Sequence, residues 1–232
     1  MKIHGLQKMT LIDFPGKVAC TVFIGGCDLR CPFCHNAELI DGTMPAIMDE
    51  QELLIFLKKR QGLLDGVAIT GGEPMLQGEN LVTLTKKIKD LGYLVKMDTN
   101  GTHPNLLCHM IDMHLIDYVA MDVKNSPERY AETTGTNAIN MNRIKDSIAM
   151  LLQNRVEYEF RTTVVAELHN DESFHKIGKW IQGANKYYLQ KFTNRDTVPF
   201  QGFHAPTNEQ MLTYLTIARK YIPSAELRGV DL

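Results

Sequence analysis

The chain carries no excess of charge of either sign: 25 lysines and arginines stand against 27 aspartates and glutamates in 232 residues. Without a basic face there is no electrostatic footprint for nucleic acid. Long apolar runs are missing too, and none approaches the ~20 residues of a membrane span. The opening Met1-Lys2-Ile3-His4-Gly5 has no apolar h-region of a secretory signal. Cysteine is scarce and odd in number, five in all, with three crowded into residues 27–34. That is not the pattern of a disulfide framework. These absences predict a cytoplasmic protein of a reducing compartment, with neither nucleic acid nor membrane as partner. No repeat, low-complexity tract or linker interrupts the chain, and 44% apolar content is ample for one domain over residues 1–232.

What is present centres on Cys27-x-x-x-Cys31-x-x-Cys34, on a loop leaving the apolar stretch 18–24. Thiolates are the usual ligands of iron–sulfur clusters, and a cubane takes four. A loop supplying three leaves one iron open to a small molecule. Structural zinc, the competing reading, needs a closed set of four ligands. A second pair is missing here: Cys20 lies in the core stretch, Cys108 in a distant helical segment, and His35 sits awkwardly beside Cys34. Cys20 and Cys108 read as buried apolar residues.

Apolar, β-branched runs at 18–24, 66–70, 94–98, 118–123, 157–165 and 186–192 alternate with helical patterns at 49–59, 79–91, 104–113, 140–154, 171–182 and 208–221. Asp49 and Glu52 have the spacing of a capping box, and Leu53, Leu54 and Leu57 recur at helical intervals. Such alternation predicts an α/β fold with a parallel sheet covered by helices. Periodicity alone does not choose between an incomplete barrel and an open, doubly wound sheet.

Each expected strand runs into something the fold does not demand. The cysteine loop follows the first, and Gly71-Gly72-Glu73-Pro74 the second. Asp98-Thr99-Asn100-Gly101 ends the third and Asp122-Val123-Lys124 the fourth; Arg161 lies on the fifth, Gln190 near the end of the sixth. The carboxyl ends of parallel strands open onto one face, where ligands bind. Each cluster also has a plain structural reading: a glycine turn, an Asx-type turn, an Asp122–Lys124 ion pair on one strand face. Arg161, among apolar neighbours, needs an anion, which Glu157, Glu159 or a ligand carboxylate could provide.

The three-cysteine loop followed by Gly-Gly-Glu-Pro on the next βα loop resembles the radical S-adenosylmethionine superfamily. Within it, Cys34-His35-Asn36, Asp98-Thr99-Asn100-Gly101 and Asp122-Val123-Lys124 resemble the activating enzymes of glycyl-radical enzymes. The opening Thr10-Leu11-Ile12-Asp13-Phe14-Pro15-Gly16-Lys17-Val18 is most similar to activators of anaerobic ribonucleoside-triphosphate reductase. The resemblance runs from about residue 6 to 192.

It implies a partial (β/α)6 TIM-like barrel with a [4Fe-4S] cluster on Cys27, Cys31 and Cys34, and S-adenosylmethionine chelating the fourth iron. Phe33 and His35 would lie along the adenine, and Gly71, Gly72 and Glu73 would meet the methionyl amine. The loops bearing Asp98, Asn100, Asp122, Val123 and Lys124 would take the ribose and carboxylate, with Arg161 a second positive contact. Asp98, Thr99 and Asp122 would supply a monovalent-cation site. Reductive cleavage of the sulfonium would give methionine and a 5′-deoxyadenosyl radical, which takes a hydrogen from a glycine of a partner enzyme. The reductase is the expected partner; pyruvate formate-lyase or another glycyl-radical enzyme is the alternative, and a flavodoxin or ferredoxin the expected electron donor. The chain departs from pyruvate formate-lyase activators at 189–192, where Gln190 stands in place of a histidine. No cysteine occurs between Cys34 and Gly71, so the resemblance implies a single cluster. The rival readings are a small-molecule enzyme of the superfamily, such as a deazaguanine synthase, and a zinc-stabilised binding module.

Overall fold

The computed structural model describes residues 1–41 and 43–230, so the domain expected over 1–232 includes three residues, 42, 231 and 232, outside the described ones. The strands are β1 (Lys2–Ile3), β2 (Gly5–Thr10), β3 (Ala19–Ile24), β4 (Met48–Asp49), β5 (Gly66–Gly71), β6 (Leu94–Thr99), β7 (Tyr118–Asp122), β8 (Glu157–Val164), β9 (Tyr187–Lys191) and β10 (Ala225–Arg228). The helices are α1 (Glu50–Lys58), α2 (Glu79–Asp90), α3 (Pro104–Asp112), α4 (Tyr130–Thr134), α5 (Met141–Leu151), α6 (Asp171–Trp180) and α7 (Asn208–Arg219).

Eight strands form one sheet in the order β10-β9-β8-β7-β6-β5-β3-β2, and β1 pairs with β4 in a small separate ribbon. The six expected strands are consecutive and parallel at the centre of the large sheet. Two further strands flank them. β2 runs antiparallel to β3, and β10 runs parallel to β9. β2 and β10 end the sheet without pairing to each other, so the wall is a barrel left open on one side.

Side chains alternate across a strand. The parity holding Cys20, Val22, Val67, Ile69, Val95, Met97, Val119, Met121, Phe160 and Leu189 packs into the main core. The opposite parity carries Lys96 and Asp98, Asp122, Glu159 and Arg161, and Gln190, which face the barrel interior and line its cavities. The interior of this barrel is therefore charged, and the apolar core lies between sheet and helices. Helix starts are fixed locally: Asp49 and Glu52 form the expected capping box on α1, and Thr207 with Gln210 forms one on α7. Among the described residues no helix is long and apolar enough to cross a membrane.

Candidate functional site

The carboxyl ends of the central strands meet around a cavity of about 250 Å³. Cys27, Cys31 and Cys34 all border it, as do Phe33, His35, Gly71, Gly72, Asp98, Thr99, Asn100, Asp122, Lys124, Arg161 and Gln190. Segments far apart in sequence converge here because every parallel strand delivers its following loop to the same end.

The cysteine loop is held from both sides. Cys27 N donates to Ile40 O at 3.0 Å, and Gly26 N to Leu39 O at 2.7 Å. On the far side the glycine pair of the next loop lies against it: Gly72 N donates to Ile24 O at 2.9 Å and Glu73 N to Gly26 O at 2.7 Å. A Cβ on Gly71 would stand 2.2 Å from Ile24 O, and one on Gly72 2.1 Å from Gly26 O. Gly71 also has φ +126, which favours glycine. Asn36 completes the clasp, its Nδ2 donating to Gly71 O at 3.1 Å.

Burial pushes the thiols of Cys27 and Cys31 up to about 12 and about 11, and raises Cys34 as well. Bound metal reverses this, since a coordinating thiol is deprotonated outright. The amide of Leu29 donates to the sulfur of Cys27 at 3.4 Å, as second-sphere donors do in iron–sulfur sites. Among the described residues no three His, Cys, Asp or Glu side chains converge on a single metal ion. The three cysteines line one cavity, and among the described residues no fourth cysteine borders it to complete a closed tetrahedral zinc set. Of the other cysteines, Cys20 is fully buried in the core. Cys108 differs from expectation: it is half-buried on α3, between Asp112 and Arg155.

Deeper in the cavity, Arg161 bridges two carboxylates, with Nε 2.9 Å from Asp122 and Nη1 3.3 Å from Asp98. Asp122 also takes Lys124 at 2.8 Å, and Asp98 takes the buried Lys96. Burial would raise both aspartates, but Arg161 with Lys124 or Lys96 outweighs it and holds them below the usual carboxylate range. The anion that Arg161 requires is thus Asp122 and Asp98, not Glu157 or Glu159. Both carboxylates are engaged by protein cations, and the Thr99 hydroxyl is turned to Glu73. Asp98, Thr99 and Asp122, the trio expected around a monovalent cation, all border the cavity, the two carboxylates on Arg161 and the hydroxyl on Glu73.

Two expected residues do not border the cavity. Glu73 is completely buried; its carboxylate accepts from Met75 N, Thr99 Oγ1 and Asn100 N at 3.1, 2.9 and 2.6 Å. It joins the loop after β5 to the loop after β6. Val123, of opposite parity to Asp122 and Lys124, packs into the core. Conversely, Asn36, Thr70 and Thr163 border the cavity and were not among the expected site residues. Thr163 follows Arg161 by two on β8, a spacing that places it on the same face.

A second cavity of about 570 Å³ lies in the open side of the barrel. Ile12, Asp13 and Pro15 form one rim; Glu159, Arg228 and Gly229 belong to the other wall. Asp98, Arg161 and Gln190 border both cavities and form the wall they share. Arg228 is clamped to Glu159 by two bonds of 2.8 and 3.0 Å and stacks on Tyr188 at 3.4 Å.

A family model described as "Radical SAM superfamily" matches residues 21–181. A provisionally named glycyl-radical enzyme activating enzyme of Methanocaldococcus jannaschii is 30% identical over 99% of this chain and 96% of its own length. The pyruvate formate-lyase-activating enzyme of Clostridium pasteurianum is 33% identical over 53% of this chain and 52% of its own. A crystallised domain of a pyruvate-formate lyase-activating enzyme from Bacteroides vulgatus superposes with a TM-score of 0.55, covering 71% of this chain and 99% of that one at 16% identity.

Proposed function

We propose, on the premise that the chain belongs to the radical S-adenosylmethionine superfamily and within it to the glycyl-radical enzyme activating enzymes, that its protein substrate is an anaerobic ribonucleoside-triphosphate reductase. The chain is an enzyme with a [4Fe-4S] cluster and S-adenosylmethionine as cofactors. The observation that carries the assignment of roles is the trio of thiols bordering one cavity with Asp98, Asp122, Lys124 and Arg161.

In this reading Cys27, Cys31 and Cys34 hold the cluster, which supplies a low-potential electron to cleave the sulfonium. No general acid or base is needed, so the protein's work is orientation and exclusion of water. Lys124 and Arg161, set against Asp98 and Asp122, present both charge signs to a zwitterionic amino acid and a ribose. The backbone of Gly71 and Gly72 offers the methionyl amine a close approach. Phe33 and His35 flank the adenine, His35 being fixed by stacking on Phe192 at 5.5 Å and by its Nε2 lying 2.6 Å from Thr193 O. Gln190 stands at the junction of the two cavities and serves the adenosine end.

A glycine-bearing segment of the partner enters through the side cavity. Support for a protein rather than a small molecule comes from Ile12 at its rim, which is 83% exposed, and from the nearby chain positions Met9 and Leu11, 62% and 68% exposed. Such apolar exposure marks interaction surfaces. The reducing electron comes from a flavodoxin or ferredoxin.

The partner is read from the Thr10-to-Val18 segment, and the similarity to a pyruvate formate-lyase-activating enzyme supports pyruvate formate-lyase as the second reading. Anaerobic incubation of the reconstituted enzyme, S-adenosylmethionine and reductant with each candidate partner separates them. The reductase is expected to develop a doublet EPR signal near g ≈ 2; a signal only with pyruvate formate-lyase selects the second reading. Silence with every glycyl-radical enzyme overturns both.

A further inference from the structure

Arg30 lies between two of the cysteines yet is not part of the cavity wall. Its guanidinium is on the outer side of the loop, 51% exposed. Nη1 donates to the carbonyl of Cys27 at 2.6 Å and to that of Leu29 at 2.9 Å, and Nη2 is 3.3 Å from Asp41. The backbone of Arg30 is pinned as well. Its N–H donates to Thr134 O at 2.9 Å, and its carbonyl oxygen occupies the place of a Cβ on Gly135, 2.2 Å away, where φ is +65. One residue therefore fastens the Cys27-to-Leu29 turn to itself and to the end of α4.

The consequence falls on a sulfur. In the turn so fixed, Leu29 N–H points at Cys27 Sγ across 3.4 Å. Amide donors to cluster thiolates are among the levers that set an iron–sulfur potential, together with nearby charge. An N–H···S bond stabilises the more electron-rich state and so raises the potential. The positive charge of Arg30 acts in the same direction, but half-exposed it is screened by solvent and salt. The fork across two carbonyls is the stronger effect.

We propose that Arg30 is a positioning residue for the cluster, holding the Cys27 turn so that the Leu29 amide stays on the Cys27 sulfur and sets the reduction potential. This rests on the assignment of Cys27, Cys31 and Cys34 to a [4Fe-4S] cluster. Nothing in the sulfonium site requires Arg30, whose contacts are all to the outer side of the loop.

The test compares the wild type with Arg30→Gln, Arg30→Lys and Asp41→Asn, each reconstituted anaerobically and titrated potentiometrically with EPR detection of the reduced cluster. Iron per chain and melting of the metal-free proteins are measured in parallel. Arg30→Gln is expected to make reduction about tenfold less favourable, which for one electron is about 59 mV toward negative potential. Arg30→Lys is expected to titrate closer to wild type than Arg30→Gln, because both carbonyl bonds come from Nη1 alone and an ammonium with three donors can replace them. Asp41→Asn, which leaves the fork in place, titrates as wild type. Equal potentials for Arg30→Gln and wild type at equal iron content overturn the proposal. Loss of iron from Arg30→Gln with unchanged metal-free melting supports the loop-holding role; loss of iron with lowered melting overturns it in favour of a general scaffold role. Cofactor cleavage by the wild type under dithionite is read separately, so its failure would remove the functional reading while leaving the potentials to judge Arg30.

Discussion

The carbonyl oxygen of Gly26 sits where Gly72 would carry a side chain, 2.1 Å from the position of its Cβ. The backbone of the glycine pair is thus packed against the first residues of the cysteine loop, and neither side is a flexible side chain that could yield. Gly72→Ala must push the two loops apart. An overpacking cost of ~1–3 kcal/mol is expected, with the larger effect on function. The displaced loop carries Cys27, so iron content after reconstitution should fall, and cofactor cleavage with it. Gly62→Ala, where nothing lies within 4 Å of the added Cβ, serves as the control: its positive φ of 78 costs a little stability but leaves iron content unchanged.

Removing Arg161 leaves Asp98 and Asp122 near each other in a half-buried site with one cation fewer. Losing one partner of a fully buried ion pair costs ~3–5 kcal/mol; with these side chains partly open to the cavity, Arg161→Leu is expected below that range by chemical denaturation. The pH dependence follows from the direction of the aspartate shifts. Both carboxyls are held below their ordinary value of 3.8 in the folded protein. The stability they contribute is therefore complete above about pH 4, and it is lost as the pH falls through the lower folded values. In Arg161→Leu one carboxyl should titrate well above its ordinary value, because two like charges then share the site. The acid-unfolding midpoint of the variant moves to higher pH; an unmoved midpoint would show that Lys96 and Lys124 suffice.

His169 links the loop after β7 to that after β8. Its Nε2 lies 2.9 Å from the carbonyl of Lys124, and Val165 N–H reaches its Nδ1 at 3.1 Å. That pairing suits a neutral ring, donating at Nε2 and accepting at Nδ1. Burial pushes its pKa down to about 4 from 6.5. With the folded value depressed, the unfolded chain binds the extra proton between those limits. Stability is complete above about pH 6.5 and declines as the pH falls toward 4, a loss on the order of 3 kcal/mol. In His169→Gln the slope of unfolding free energy across that window should flatten, while the variant loses the fixed position of Lys124. A persistent slope would assign the acid lability to other groups.

Much of the site could be read from the chain because parallel strands bring their carboxyl ends to one face. Asp98, Asp122, Lys124, Arg161 and Gln190 needed only correct strand positions to be placed together. What could not be read was which member of a motif points where. Glu73 belongs to the Gly-Gly-Glu-Pro run, yet its three donors include Thr99 and Asn100, 26 and 27 residues away. Val123 lies between two cavity residues, and strand parity turns it into the core. The edge strands were invisible for different reasons. β10 is four residues long, and its anchor is Arg228 to Glu159, 69 positions apart. β2 has no apolar alternation, since its face is half-exposed and its antiparallel register with β3 is broken between Gln7 and Thr10.

The rim of the side cavity separates partner recognition from cofactor chemistry. Ile12 is 83% exposed, while the segment that carries it is rigid: Ile12 N and Asp13 N both donate to Thr10 Oγ1 at 3.3 Å, Asp13 accepts from Thr21 at 2.5 Å, and Phe14 is buried against Tyr118. A charge at this tip therefore disturbs nothing packed beneath it. Ile12→Glu is expected to melt as wild type and to cleave S-adenosylmethionine under dithionite at an unchanged rate. Against the partner enzyme it should need roughly tenfold more partner for half-maximal glycyl-radical formation, since tenfold is what ~1.4 kcal/mol of lost apolar contact gives. The plateau at saturating partner should be nearly restored, because the reacting groups are untouched. Equal half-saturation for the variant and wild type would exclude this rim from the docking surface and direct the search to the wall formed by Glu159 and Arg228.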